Sequence, residues 1–260
     1  MVERAYADLA EGGLSNRSVV QAHTVLHNAM KKALQWGLIS RNPTEAADVP
    51  RPLRNEMQTL SEDEVRLLFA ATATDELHAL WVLLATTGLR LGEALGLKWA
   101  DIDFENQRLF VRRALQPQKE NGLVFVEPKT AKSRRTVYFA EGAGAALKEH
   151  RKPQNEARLR LGETWQDNDL IFCRADGSPL DPGNVTHHFQ VLLKRAGLKK
   201  VRVHDLRHTA ASLHLARGEN PKVVQEMLGH STIAVTMDIY SHVTPAIHAA
   251  AASKMQALFA

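Results

Sequence analysis

The sequence predicts a mainly α-helical fold that carries one small antiparallel β-sheet, and three observations lead there. Apolar residues recur three or four apart along most of the chain, the spacing that gives a helix one apolar face. Between residues 108 and 139 the pattern changes to short runs of β-branched and aromatic residues separated by turn signals. No internal repeat or low-complexity run interrupts either pattern. With 260 residues, 44% of them apolar and 24% charged, the chain can bury a sizeable core as one or two domains.

Taken in order, residues 1–14 mix acidic and basic side chains and contain Tyr6, with no leader-like apolar segment and no clear element. Over 15–36, Val19, Leu26, Met30, Ala33 and Trp36 follow helical spacing, with Ser15 or Asn16 at the start and Gly37 and Asn42-Pro43 as stops. Residues 48–58 hold two prolines, several charges and no period, which reads as a basic linker. Ser61 followed three residues later by Glu64 forms a capping box for a helix over 62–71. Further helices are expected at 76–86, broken at Gly88, and at 91–97. Strands follow at 108–112, 123–126 and 136–139, then helices at 143–151, 185–196, 206–216 and 221–228. A last helix past Pro245 lines up Ile247, Ala251, Met255 and Leu258 on one stripe. The expected organisation is a helical domain over 1–47, the linker over 48–58 and a second domain over 59–260.

Composition narrows the chemistry. The single cysteine, Cys173, rules out an internal disulfide framework and any cysteine-cluster zinc site. No stretch approaches the roughly 18 unbroken apolar residues of a membrane span, so a cytoplasmic protein without a membrane partner is expected. A net charge of +4 is compatible with a polyanionic partner without requiring one.

The residues suited to chemistry lie in a defined order: Arg90 in Thr-Gly-Leu-Arg, Lys129 in Pro-Lys-Thr, His204, Arg207 and His208 in His-Asp-Leu-Arg-His, His230 in Leu-Gly-His, and Tyr240. Arginine forks suit phosphate, histidines donate hydrogen bonds or move protons, a lysine can protonate a leaving oxygen, and a tyrosine can attack. Each residue alone also has a plainer reading. Tyr240 could pack, Arg90 could simply pair with Glu93, and His230 could serve a helix end. His204 and His208, at i and i+4, also imitate a zinc-hydrolase spacing, although Asp205 stands where a glutamate base would be wanted and Arg207 would crowd a metal.

The combination of Thr-Gly-Leu-Arg-Leu-Gly-Glu-Ala-Leu-Gly-Leu-Lys-Trp, Pro-Lys-Thr, His-Asp-Leu-Arg-His, Leu-Gly-His-Ser and Asp-Ile-Tyr-Ser-His-Val resembles the tyrosine recombinase family, of the phage and transposon integrase type, over about residues 59–245. The resemblance implies a recombinase catalytic domain that cleaves and rejoins DNA strands through a 3′-phosphotyrosine intermediate. It implies Arg90 and Arg207 as the phosphate-clamping pair, His204 and His230 as the two histidine positions, and Tyr240 as nucleophile. Lys129 best matches the hairpin lysine that protonates the departing 5′ oxygen, with Lys132 three residues on as the alternative. Glu93 and His208 would be supporting residues. Residues 14–50 resemble only the second half of the family's core-binding domain, so a partial DNA-binding domain is expected in front.

The partner implied is double-stranded DNA, engaged by a homotetramer on two sites with the tail after the tyrosine exchanged between protomers. No cofactor or metal is implied, and the resemblance does not say whether an accessory DNA-bending protein takes part. Arg51 and Arg54 in the linker, with Arg134 and Arg135 beside the hairpin lysines, are candidates for tracking the phosphate backbone. A type IB topoisomerase would share nearly all of these residues, and an inactive, truncated DNA-binding relic is the non-enzyme alternative.

Overall fold

The computed structural model describes residues 1–51, 58–127 and 134–239. The chain divides into two compact units, Met1–Glu56 and Met57–Ala260. In the first, α1 (Val2–Glu11) packs against α2 (Asn16–Gln35). Ser15 caps α2 by accepting a hydrogen bond from the Ser18 amide. Tyr6 and Val19 are buried between the two helices, and the Tyr6 hydroxyl meets His23 Nδ1 at 2.8 Å. The sequence shows no clear element here, because charges of both signs interrupt the six apolar residues among the ten of α1. After α2, Asn42 accepts hydrogen bonds from the amide and hydroxyl of Thr44, fixing the turn around Pro43.

The second unit opens with α3 (Glu62–Ala71), whose capping box forms as expected: the Ser61 amide donates to Glu64 and the Glu64 amide to Ser61 Oγ. The central helix is α4 (His78–Thr87), with Leu80, Trp81, Leu83 and Leu84 buried; it packs against α6 (Glu141–Leu161) and α8 (Asp205–Ala216). A helix this apolar on every side belongs inside a core. The short α5 (Leu91–Leu95) follows at once, and α7 (Pro182–Arg195) sends Phe189 to stack on Trp81 with ring centroids 4.9 Å apart. Asp181 caps α7 by accepting from the amides of Gly183 and Asn184, while Pro182 occupies the first turn, where its missing N–H costs nothing. Asn220 and Pro221 open α9 (Pro221–Leu228) in the same way. Residues 233–239 are again helical.

Where one sheet was expected, two form among the described residues. Strands β1 (Ile102–Asp103), β2 (Arg108–Val111) and β5 (Arg135–Tyr138) make an antiparallel sheet in the order β1-β2-β5, with Leu109 opposite Val137. Strands β3 (Ala114–Gln118) and β4 (Gly122–Val126) make a separate two-stranded ribbon. The first strand is too short to show a period, and β3 contains Pro117, which is tolerated because a ribbon strand has a free edge. Helix α6 runs ten residues past the expected end at Arg151 and passes through Pro153. Gln154 anchors that extension by accepting from Trp99 Nε1 and donating to the Leu170 carbonyl. The helix expected past Pro245 lies outside the described residues.

Candidate active site

Helix α4 ends at Gly88 in the left-handed conformation (φ 65°), and a Cβ there would lie 2.3 Å from Leu228 Cδ2. Only glycine fits both the dihedral and the contact. The turn delivers two things to the site: the Gly88 carbonyl and, two residues later, Arg90 at the N-cap of α5. The Glu93 side chain closes this helix start. Its Oε2 accepts from the Arg90 amide at 2.9 Å and its Oε1 from Arg90 Nη1 at 2.8 Å.

Arg207 rises from the first turn of α8 and is only 2% exposed. It donates from Nη1 to the Gly88 carbonyl at 2.7 Å and from Nη2 to the Leu228 carbonyl at 2.6 Å, which joins the ends of α4 and α9 through one guanidinium. Burial, then the charge of Arg90, lowers it to about 9, so it remains charged at neutral pH. Arg90, Glu93 and Arg135 all lie within electrostatic reach of it. Burial alone would raise the Glu93 carboxyl, but hydrogen bonds and charge from Arg135, then from Arg90, hold it at about 2. Three guanidiniums thus surround one carboxylate, and the excess positive charge suits an anion held between them.

The histidines border the same cluster. His204 stands at the N-cap position of α8, and its ring meets that of His208 edge-on, centroids 5.3 Å apart. His230 follows the left-handed Gly229 that ends α9. Its Nδ1 lies 2.9 Å from Thr236 Oγ1, and its carbonyl accepts from Gln225 Nε2. Thr236 holds the ring and Gln225 the backbone of His230, and neither stands out in the sequence. Asp205 is wrapped by Arg202, whose amide, Nε and Nη2 all donate to the carboxylate. Among the described residues no group of three or more His, Cys, Asp or Glu is placed to hold a metal ion.

This cluster coincides with a match to known proteins: a model of the phage integrase family fits residues 58–246. The chain belongs to the phage integrase family. A tyrosine recombinase XerC-like protein of Caldanaerobacter subterraneus subsp. tengcongensis is 33% identical over 262 residues, covering 94% of this chain and 67% of that protein. The ICEBs1 integrase of Bacillus subtilis is 28% identical over 91% of this chain and 64% of its own length. The chain therefore spans about two thirds of the length of these relatives. A Tn1549 transposon integrase in complex with transposon right end DNA superposes with a TM-score of 0.83 at 25% identity, over 100% of this chain and 84% of that one. XerA recombinase follows with 0.60 at 28% identity, over 97% and 82%. The expected fold class is thus the observed one. As a tyrosine recombinase the chain is an enzyme of DNA strand breaking and rejoining, and the topoisomerase reading loses ground.

The expected site residues fall in different places. The structure brings Arg90, Glu93, Arg207, His204, His208 and His230 together. Lys129, Lys132, Tyr240 and Arg54 lie outside the described residues, and Arg51 belongs to the first unit, where it is exposed. Arg134 is exposed and pairs with Glu127. Arg135 requires a correction: expected to track DNA phosphates, it is buried at 7% side-chain exposure, and its guanidinium is committed to Glu93 and the Met227 carbonyl. A side chain so enclosed cannot follow a backbone outside the protein.

Burial lowers all three histidines, and His230, pressed further by Arg207 and Arg90, falls to about 4. All three are therefore neutral at pH 7. Unfolding frees them to take up protons below ~6.5, while the folded protein resists protonation until lower pH. The stability they contribute is present at neutral pH and is lost as pH falls below about 6.5, the loss from His230 extending to about 4. The thermal midpoint is accordingly expected to drop between pH 7 and 4.5, and to drop less in His230→Asn. A midpoint equally pH-dependent in both proteins would show that His230 is not held neutral by the fold.

Proposed function

We propose that the chain recombines double-stranded DNA at specific sites by two successive transesterifications, with Tyr240 as the nucleophile. The Tyr240 oxygen attacks a backbone phosphorus, the bond to the 5′ oxygen breaks, and a 3′-phosphotyrosine and a 5′ hydroxyl result. The 5′ hydroxyl of the partner strand then attacks the phosphotyrosine and releases Tyr240. One phosphodiester is made for each one broken, so the reaction calls for no external energy source. The observation that carries this reading is the excess of arginine charge around the buried Glu93, in a protein whose motifs keep the recombinase order. Arg90 and Arg207 supply positive charge to the non-bridging oxygens, and His204 and His230 supply hydrogen bonds to them, a preorganised site of the oxyanion-hole kind. Glu93 orients Arg90, and His208 supports His204.

Lys129 is the proposed acid for the departing 5′ oxygen. Lys129→Ala is expected to slow cleavage by roughly 10²–10⁴-fold, the range for losing one general acid. A substrate with sulfur in place of that 5′ oxygen should restore the rate, because a thiolate leaves without a proton. Rescue of Lys132→Ala instead would move the acid to Lys132.

The neighbours solved with DNA support a DNA partner. A tetramer on two sites, exchange of the tail after Tyr240, phosphate tracking by Arg51, Arg54 and Arg134, and a cytoplasmic setting complete the reading. No helix among the described residues is long and apolar enough to cross a membrane. The test is to trap covalent adducts with detergent on sheared DNA from the source cells and sequence the ends. Adducts at one or a few loci are expected; scattered adducts would favour a topoisomerase, and none would favour the relic.

A further inference from the structure

Arg135 is the first residue of β5 and stands two positions past residues 128–133, the segment that carries Lys129 and Lys132. Its neighbour Arg134 is 60% exposed, whereas Arg135 is 7% exposed, so the two arginines serve different surroundings. The Arg135 fork grips Glu93 with both arms, Nη1 to Oε1 at 3.0 Å and Nη2 to Oε2 at 2.9 Å. The same two carboxylate oxygens receive Arg90, one through its amide and one through Nη1. Glu93 is thus a shared hinge pin, and Arg135 cannot shift without moving the group that holds Arg90.

The third bond runs elsewhere. Arg135 Nε donates to the Met227 carbonyl at 2.7 Å, next to the Leu228 carbonyl that accepts from Arg207. Both carbonyls belong to the last turn of α9, where a helix leaves its acceptors without internal partners. A Cβ on Gly229 would lie 3.1 Å from Arg135 Cδ and 3.2 Å from its Nε and Nη1, so the end of α9 rests directly on this side chain. The next residue is His230. One guanidinium therefore touches both the support of Arg90 and the turn that presents His230.

A buried ion pair is a weak source of net stability, because the cost of desolvating both charges offsets much of their attraction. What the fork supplies is a fixed distance and a fixed plane. We propose that Arg135 is a positioning residue for strand cleavage, a strut that sets the spacing between Arg90 and His230. This rests on the reading that Arg90 and His230 contact the scissile phosphate. Misplacing reacting groups by about 1 Å can cost ~10²-fold in rate, so the strut need not touch DNA to matter.

The test compares Arg135→Lys and Arg135→Gln with wild type, using adduct formation and binding on the same sheared source DNA. Arg135→Lys keeps a charge but cannot span both carboxylate oxygens and the Met227 carbonyl. It is expected to lower the cleavage rate by about 10²-fold while DNA affinity stays close to wild type, with a fall in thermal midpoint from the buried bond that lysine cannot make. Arg135→Gln removes the cation. Glu93 then faces burial, which raises its pKa, with Arg90 from α5 and Arg207 from α8 as the remaining charges around it. The acid limb of the cleavage profile is expected to move toward neutral pH, since the carboxylate form is lost earlier as pH falls.

Wild-type cleavage by Arg135→Lys would overturn the proposal. So would a loss of DNA affinity in step with cleavage and an unmoved pH profile, which would make Arg135 a DNA contact. A DNA-free readout separates this from failure of the recombinase reading. In carboxyl-carbon NMR, assigned with Glu93→Gln, Glu93 should stay ionised from pH 7 to 4 in wild type and titrate within that window in Arg135→Gln. An unmoved Glu93 would overturn the strut even if recombination proceeds. If Arg135→Gln does not fold, the lysine variant decides, by its cleavage rate and by whether Glu93 rises from its wild-type value.

Discussion

Arg207→Lys is expected to lower cleavage by ~10²–10³-fold, the cost of losing one preorganised contact to transition-state charge. The physical reason lies in where the guanidinium is held. Two of its nitrogens are already bonded to the Gly88 and Leu228 carbonyls, which fixes its plane relative to the α4–α5 turn and the end of α9. A lysine carries the same charge as a point on a flexible stem and cannot reach both carbonyls in that plane. At least one buried carbonyl then loses its partner, which should destabilise the fold by about 1–3 kcal/mol. The measurements are single-turnover adduct formation and thermal unfolding on the same samples. A variant that unfolds earlier yet cleaves at the wild-type rate would show that Arg207 is structural only.

Tyr240→Phe is expected to abolish the covalent protein–DNA adduct and leave DNA binding intact. A phenol near pKa 10 attacks at neutral pH only beside cationic groups, and in the proposed mechanism the cluster of Arg90, Arg135 and Arg207 is their source. The other tyrosines are poorly suited to replace it. Tyr6 is 4% exposed, is tied to His23, and has its phenol pKa raised by burial. Tyr138 lies on β5 among residues whose alternation marks an ordinary strand face. Ile239, the residue before Tyr240, is buried against Leu228, Val224, Ala211 and Leu215, which anchors it to α8 and α9. Adduct formation by the phenylalanine variant would remove Tyr240 from the mechanism.

Local signals carried most of the fold. The Ser61–Glu64 capping box and the Gly88 stop are decided within a few residues, so the sequence displays them directly. What it concealed depends on distant partners. Helix α6 continues past Pro153 because Gln154 finds Trp99 and the Leu170 carbonyl, residues 55 and 16 positions away. Strand β3 carries a proline and two glutamines and shows no alternation to read. In the site, the Arg90–Glu93 pair was legible from its spacing of three. Thr236 and Gln225, which hold His230, gave no signal of their own.

Arg135 was misread for an instructive reason. Beside Arg134 it looks like half of a basic hairpin tip. Yet strand period two places it on the face of Val137, which is 1% exposed, while Thr136 and Tyr138 face outward. That alternation was available in the sequence, and it distinguishes an inward arginine from an outward one. The acceptor waiting for it, Glu93, lies 42 residues away and becomes apparent only in the fold.

The central claim, a phosphotyrosine at Tyr240 formed in an arginine-clamped site, is tested most directly by mass spectrometry of the trapped adduct. Protein crosslinked to sheared source DNA is digested with nuclease and protease, and the peptide that retains a nucleotide is sequenced. The nucleotide should sit on Tyr240, linked through its 3′ phosphate. A nucleotide on any other residue, or one linked through a 5′ phosphate, would contradict it.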